Sequence, residues 1–106
     1  MTAEKDVRLL IADTEADIFD ESEITQFLVI NQGSVKRAAA DALDTIASSE
    51  ALLSKKITTQ DRSTDGPAVA DALRRHAEAL RTRAQAEEDA AEDSPFAMVF
   101  PMGRYS

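Results

Sequence analysis

Three groups of side chains in this chain of 106 residues have the composition to do chemistry. The first is the acidic run DTEADIFDESE, residues 13–23, in which Asp13, Glu15 and Asp17 alternate with small residues. Neighbouring carboxylates can hold a metal ion or exchange protons. Here the spacing reproduces no calcium loop, and the glycine that such a loop needs at its turn is absent. Ile18 and Phe19 interrupt the run and read as an anchor that pins a solvated loop to the body. The second group is a single residue, His76. A metal site built on it would need carboxylates from elsewhere, and no Ser/His/Asp arrangement is recognisable in local sequence. His76 therefore reads as a solvated or hydrogen-bonded structural residue.

The third group is basic. Arg74, Arg75, Arg81 and Arg83 fall within one helical pattern, which runs straight into EEDAAEDS with Glu87, Glu88 and Asp89. Four arginines on a helix can engage DNA, but the acidic flank repels phosphate. A salt-laced surface or interface helix is expected, with Glu78 and Glu87 at i,i+3 or i,i+4 distance from the arginines. Lys55, Lys56 and Arg62 form a sparser patch without interleaved aromatics. Gly33, Gly66 and Gly103 are isolated, so no phosphate loop is present, and the absence of cysteine removes thiol and disulfide chemistry. The expectation is a protein that works by contact: not an enzyme, with no metal and no cofactor.

The elements that carry these groups read as helices. Ser34 to Ser54 is the organising stretch, with Val35, Ala39, Ala42, Leu43, Ile46 and Leu53 on one side of a 3.6-residue period. Ala38, Ala42 and Ala47 give that stripe small shoulders. Before it, a helix at about residues 22–31 presents Ile24, Phe27 and Leu28, while Val29 and Ile30 extend its apolar surface nearly all round. Such a helix lies between others or at a subunit contact. Asp20 with Glu23 has capping-box spacing, Ser22 is the alternative cap, and Asn31-Gln32-Gly33 ends the helix in a tight corner. Residues 1–5 read as a loose start, and DVRLLIAD (residues 6–13) as a short helix or, alternatively, a strand. Residues 57–67 read as a linker with a brief extended segment at Ile57-Thr58-Thr59. Pro67 then opens a second long helix to about Asp89, with Val69, Leu73, Ala77, Leu80 and Ala84 as its stripe.

Leu, Ile, Val and Phe number 8, 6, 5 and 4. That is just above the level of about 20 % below which disorder is the default, so the monomer core is thin. The formal charge is −8, and residues 1–33 hold eight acidic against two basic side chains. This balance opposes affinity for a nucleic-acid backbone without excluding a surface past which DNA slides. The first fifteen residues lack the apolar core of a signal peptide, and no run is long enough to span a membrane, which leaves the cytoplasm as default. The last stretch, SPFAMVFPMGRYS, carries Phe96, Met98, Val99, Phe100, Met102 and Tyr105, too many apolar groups for an idle terminus. It either lies on a neighbouring subunit or sheet, or folds back over its own helices.

The expected fold is therefore all-α: three to four helices in residues 1–94, with a short N-terminal helix or strand, a helix at 22–31 and long helices at 34–54 and 67–89. An extended apolar arm follows at 95–106. DVRLLIAD, then EITQFLVINQG (residues 23–33), VKRAAADALDTIAS (residues 35–48) and ADALRRHAEALRTRA (residues 70–84), resembles the head–tail connector or adaptor proteins of long-tailed bacteriophages. That resemblance implies a ring, usually of twelve copies, under the portal protein in the virion neck, assembled in the host cytoplasm. The ring extends the DNA channel without sequence readout, completes the filled head, and offers the docking surface for tail-side completion or terminator proteins. It implies no catalytic residues and no membrane. Terminal arms of the family grip the portal or neighbouring subunits. Phe96, Met98, Val99, Phe100, Met102 and Tyr105 are interface candidates in that setting, as are Arg74, Arg75, Arg81 and Arg83. Asp13, Glu15, Asp17, Glu87, Glu88 and Asp89 are candidates to face the channel or a basic partner. The rival readings are a neck or tail completion protein of similar build, a small DNA-binding regulator using the corner at residues 31–34 with Lys36 and Arg37, and an enzyme with a cavity at His76.

Overall fold

The computed structural model describes residues 2–59 and 66–92. Among them are five helices, α1 (Ala3–Ile11), α2 (Glu21–Ile30), α3 (Val35–Ser48), α4 (Glu50–Thr59) and α5 (Gly66–Glu92), and no strand. The expected count of three to four helices is thus too low, and the strand alternative for residues 6–13 is overturned. The expected loose start is also corrected: the Thr2 side chain accepts a hydrogen bond from the Lys5 N–H and caps α1 directly. The apolar arm and residues 60–65 lie outside the described residues.

The missing helix is found inside the organising stretch, which does not run unbroken from Ser34 to Ser54. Ser49 sits in extended backbone, φ −111° and ψ 116°, between α3 and α4. Its hydroxyl accepts from the Leu52 N–H at 3.3 Å, and its carbonyl accepts from the Leu53 N–H at 2.8 Å. A serine that satisfies the next helix's free donors is a cap, and this local option outcompetes continuation. Helix α4 then runs on through Ile57-Thr58-Thr59, the segment expected to be extended, so the linker is shorter than its composition implies. At its other end Gly66 is already helical.

Asp20, not Ser22, caps α2: its side chain accepts from the Glu23 N–H while the Glu23 carboxylate accepts from the Asp20 N–H. Helix α2 stops at the expected corner. Gln32 and Gly33 both take positive φ, 57° and 84°, and the Gly33 N–H returns to the Leu28 carbonyl at 2.7 Å. Ser34 caps α3 at once by accepting from the Arg37 N–H.

Helix α3 is the centre of the molecule. Ala38, Ala39, Ala40 and Ala42 have no exposed surface, and Leu43, Ile46 and Ala47 are buried beside them. Three consecutive buried alanines mean that α3 is enclosed on more than one side. Alanine makes this possible because it keeps the helix thin, so partners approach at the short end of the usual 8–10 Å interaxial range. Val7 and Ile11 of α1 and Ile24 of α2 join the same core, with Ile18 and Phe19 from the loop between them. The Phe19 and Phe27 rings meet edge to face, 5.2 Å apart at 79°. From α5 come Val69, Ala70, Leu73, Ala77 and Leu80. Helices α3 and α5 are antiparallel, as their polar contacts show: Arg37 reaches Glu88, Asp41 and Asp44 meet Arg81, and the Ala47 carbonyl accepts from Arg74.

Candidate functional site

The acidic loop is organised from inside. Ala12 ends α1 with φ 59°, a left-handed turn that an alanine adopts only at a cost of about 1 kcal/mol and that the surroundings must hold. The turn aims Asp13 inward, where it is 3 % exposed. Its carboxylate accepts from the backbone N–H groups of Asp17 at 2.8 Å, Ile18 at 3.1 Å and Phe19 at 3.0 Å. Arg8, also buried, lies 3.4 Å from the same carboxylate, donates to the Phe19 carbonyl at 2.8 Å, and pairs with Glu4 one turn earlier. Asp13 is therefore an internal strut, and the expectation that it faces a channel or partner is corrected. Glu15 and Asp17 do remain on the surface. Ile18 and Phe19 are buried anchors, as their place in a charged loop implies.

A second buried cation was missed by sequence reasoning. Lys56, assigned to a weak surface patch, is 1 % exposed; its ammonium donates to the carbonyls of Ile11 at 2.5 Å and Ala12 at 3.2 Å. It satisfies the C-terminal carbonyls of α1 from a helix 44 and 45 positions later. The break at Ser49 is what turns α4 so that this reach is possible.

The arginines divide. Arg81 bridges to α3, with Nη2 2.8 Å from Asp41 and Nη1 2.8 Å from Asp44. Partial burial opposes its charge, but the hydrogen bonds to both carboxylates outweigh that and hold its pKa above the ordinary value. Asp41 also accepts from the Asn31 amide at 2.8 Å, so the end of α2, the middle of α3 and the middle of α5 meet in one polar knot. Arg74 pairs with Asp71, not Glu78, and also reaches the Ala47 carbonyl. Arg75, Arg83 and His76 are exposed. Glu87 pairs with Lys36 at 2.9 Å and Glu88 with Arg37 at 3.0 Å, while the Asp89 carboxylate accepts from Gln85. These acids share the surface with the first turn of α3. At the start of α2, the Glu23 N–H and then the Ser22 hydroxyl hold the Asp20 carboxyl below the usual carboxylate range.

Three large apolar side chains are displayed instead of buried: Leu9 on α1 at 68 %, and Val29 and Ile30 at the end of α2 at 64 % and 61 %. The reading of Val29 and Ile30 as excess apolar surface anticipated this; Leu9 gave no such signal between Val7 and Ile11. The clefts described among these residues are open to solvent. One of about 460 Å³ lies over Arg37, Arg81, Gln85 and Asp89, and another of about 350 Å³ over Ser34, Val35, Lys36, Ala84, Glu87 and Ala91. No group of acidic residues and histidine among the described residues is placed to hold a metal ion, and none of the described helices is long and apolar enough to cross a membrane. The interface candidates Phe96, Met98, Val99, Phe100, Met102 and Tyr105 lie outside the described residues.

Comparison with protein-family models, with characterised proteins and with solved structures returns no match.

Proposed function

We propose that this chain is a structural subunit of the head–tail connector of a long-tailed bacteriophage. It acts by contact and not by catalysis, in a ring of about twelve copies beneath the portal protein in the virion. The ring continues the DNA channel and presents a face to tail-side completion proteins. The observation that carries this reading is the display of Leu9, Val29 and Ile30 on α1 and α2, two helices that the connector-like segments supply. Large apolar groups on a small, otherwise charged surface are characteristic of a contact face. The pairing of Lys36, Arg37 and Arg81 with carboxylates favours this over a duplex-binding regulator, because cations already matched to acids have little to offer phosphate.

The reading is tested by cryo-EM of phage particles whose neck contains the chain. Density for the five helices in a ring between portal and tail is the expected result, and a neck in which the chain occupies no ring overturns it. With purified components, Leu9→Glu is expected to abolish co-purification with the ring while leaving the helical circular dichroism of the free chain intact.

A further inference from the structure

Helices α3 and α5 each carry charge of the sign that their own dipole disfavours. The first turn of α3 holds Lys36 and Arg37 and no acid, where a helix presents free N–H groups and prefers anions. The last turn of α5, DAAE, holds acids and no base, and Glu87 and Glu88 precede it; there a helix presents free carbonyls and prefers cations. Because the two helices are antiparallel, these ends lie side by side, and each supplies the charge that the other lacks. Lys36 meets Glu87 at 2.9 Å. Arg37 meets Glu88 through Nε at 3.2 Å and Nη2 at 3.0 Å, and Nη2 also donates to Gln85 at 3.1 Å. Among the described residues little else holds this end of α5. Ala84 is its last buried residue, and residues 85–91 are exposed. Between that stretch and the first turn of α3 lies the open cleft of about 350 Å³ lined by Val35, Lys36, Ala84, Glu87 and Ala91, so apolar packing does not close it.

We propose that residues 85–91 form a salt-sensitive strap. The segment unwinds as a unit beyond Ala84 while the rest of α5 stays docked, and the Lys36–Glu87 and Arg37–Glu88 pairs set how often it does so. Surface pairs are weak, and this weakness makes them a point of control, because ionic strength alone can remove what they contribute. Opening uncovers the Val35 and Ala84 lining of the cleft and leaves the buried stripe from Val69 to Leu80 in place. Local opening of this kind is distinct from melting of the whole body. The strap belongs to the single chain and stands whether or not a ring forms.

Amide hydrogen exchange followed by NMR tests it, since the protection of an amide reports the opening that exposes it. Sodium chloride is raised from about 10 mM to about 1 M, which shortens the Debye length from about 30 to 3 Å. Protection at residues 85–91, referred to the intrinsic rate at each salt concentration, is expected to fall about fivefold, with no fall at residues 77–84. The variant Lys36→Gln/Arg37→Gln is expected to show the lower protection at both concentrations. Protection at 85–91 that ignores the salt or ignores the substitutions overturns the strap. A loss spread evenly over 77–91 overturns it too, because α5 would then open as one body. Exchanging the charges separates pairing from the dipole. Glu87→Lys/Glu88→Lys gives α5 the cations that its dipole favours but sets them against Lys36 and Arg37, and is expected to lose about fivefold in protection. Adding Lys36→Glu/Arg37→Glu is expected to restore at least the native value. Native protection in the first of these variants, or no recovery in the second, sinks the proposal; residues 77–84 report throughout that the body is folded.

Discussion

Asp13 illustrates how one carboxylate can define a loop. Three backbone N–H groups that no helix satisfies point at it, and Arg8 closes the arrangement from the α1 side. Asp13→Ala leaves those donors and a buried guanidinium without their acceptor, and is expected to lower unfolding free energy in urea by about 3 kcal/mol. Asp13→Asn, which keeps one carbonyl oxygen, is expected to lose less; equal stability of Asp13→Ala and the native chain would refute the strut. Little of this was legible. The sequence shows six acids in an eleven-residue run with Asp13 first, and nothing in their spacing says which one turns inward. The decisive event is the left-handed Ala12, a conformation that alanine does not advertise. Lys56 was hidden for the same kind of reason: a lysine beside another lysine near a helix end reads as solvated until a distant helix terminus is known to lie within reach.

Helices were the more readable scale. Capping chemistry narrows the start of α2 to Asp20 or Ser22 and places that of α3 at Ser34, and Asn31-Gln32-Gly33 places the corner, because each depends on residues within a few positions. The break at Ser49 was missed since alanine, leucine and serine around it carry no strong stop signal. What decides there is where α4 must go, a tertiary matter. The sequence pattern puts Ala39 and Ala42 in the stripe and Ala38, Ala42 and Ala47 on its shoulders; the structure buries all of them, with Ala40, in the core. Ala42→Leu adds a branched side chain where no surface is exposed, and is expected to destabilise by about 2 kcal/mol or more in thermal or urea unfolding. The same change at Thr45, exposed one turn away, is expected to be nearly neutral, so the comparison separates packing from helix propensity.

At the scale of the molecule, α5 sets the form: 27 residues of helix, about 40 Å at 1.5 Å per residue, in a body whose long axis is 53 Å. Beyond Ala84 its described side chains are exposed, and they reach α3 through surface ion pairs and the hydrogen bond from Arg37 to Gln85. Such pairs contribute little, whereas a net charge of −8 repels itself throughout the body. The melting temperature is therefore expected to rise between about 10 and 150 mM sodium chloride, as the Debye length shrinks from about 30 to 8 Å. A fall over that interval would mean that the ion pairs dominate after all.

The buried contacts of α3 also impose an order in time. Its main partner is α5, the last of the described helices in chain order, and at the edge of that contact Arg37 meets a carboxylate 51 positions downstream. The end of α1 waits likewise for Lys56. A chain emerging from the ribosome thus carries the α5-facing side of its alanine helix uncovered until α5 has followed. The α5-facing side of that core is completed only once α5 has emerged, and the interval before then is when the nascent chain is most open to chaperones and proteases.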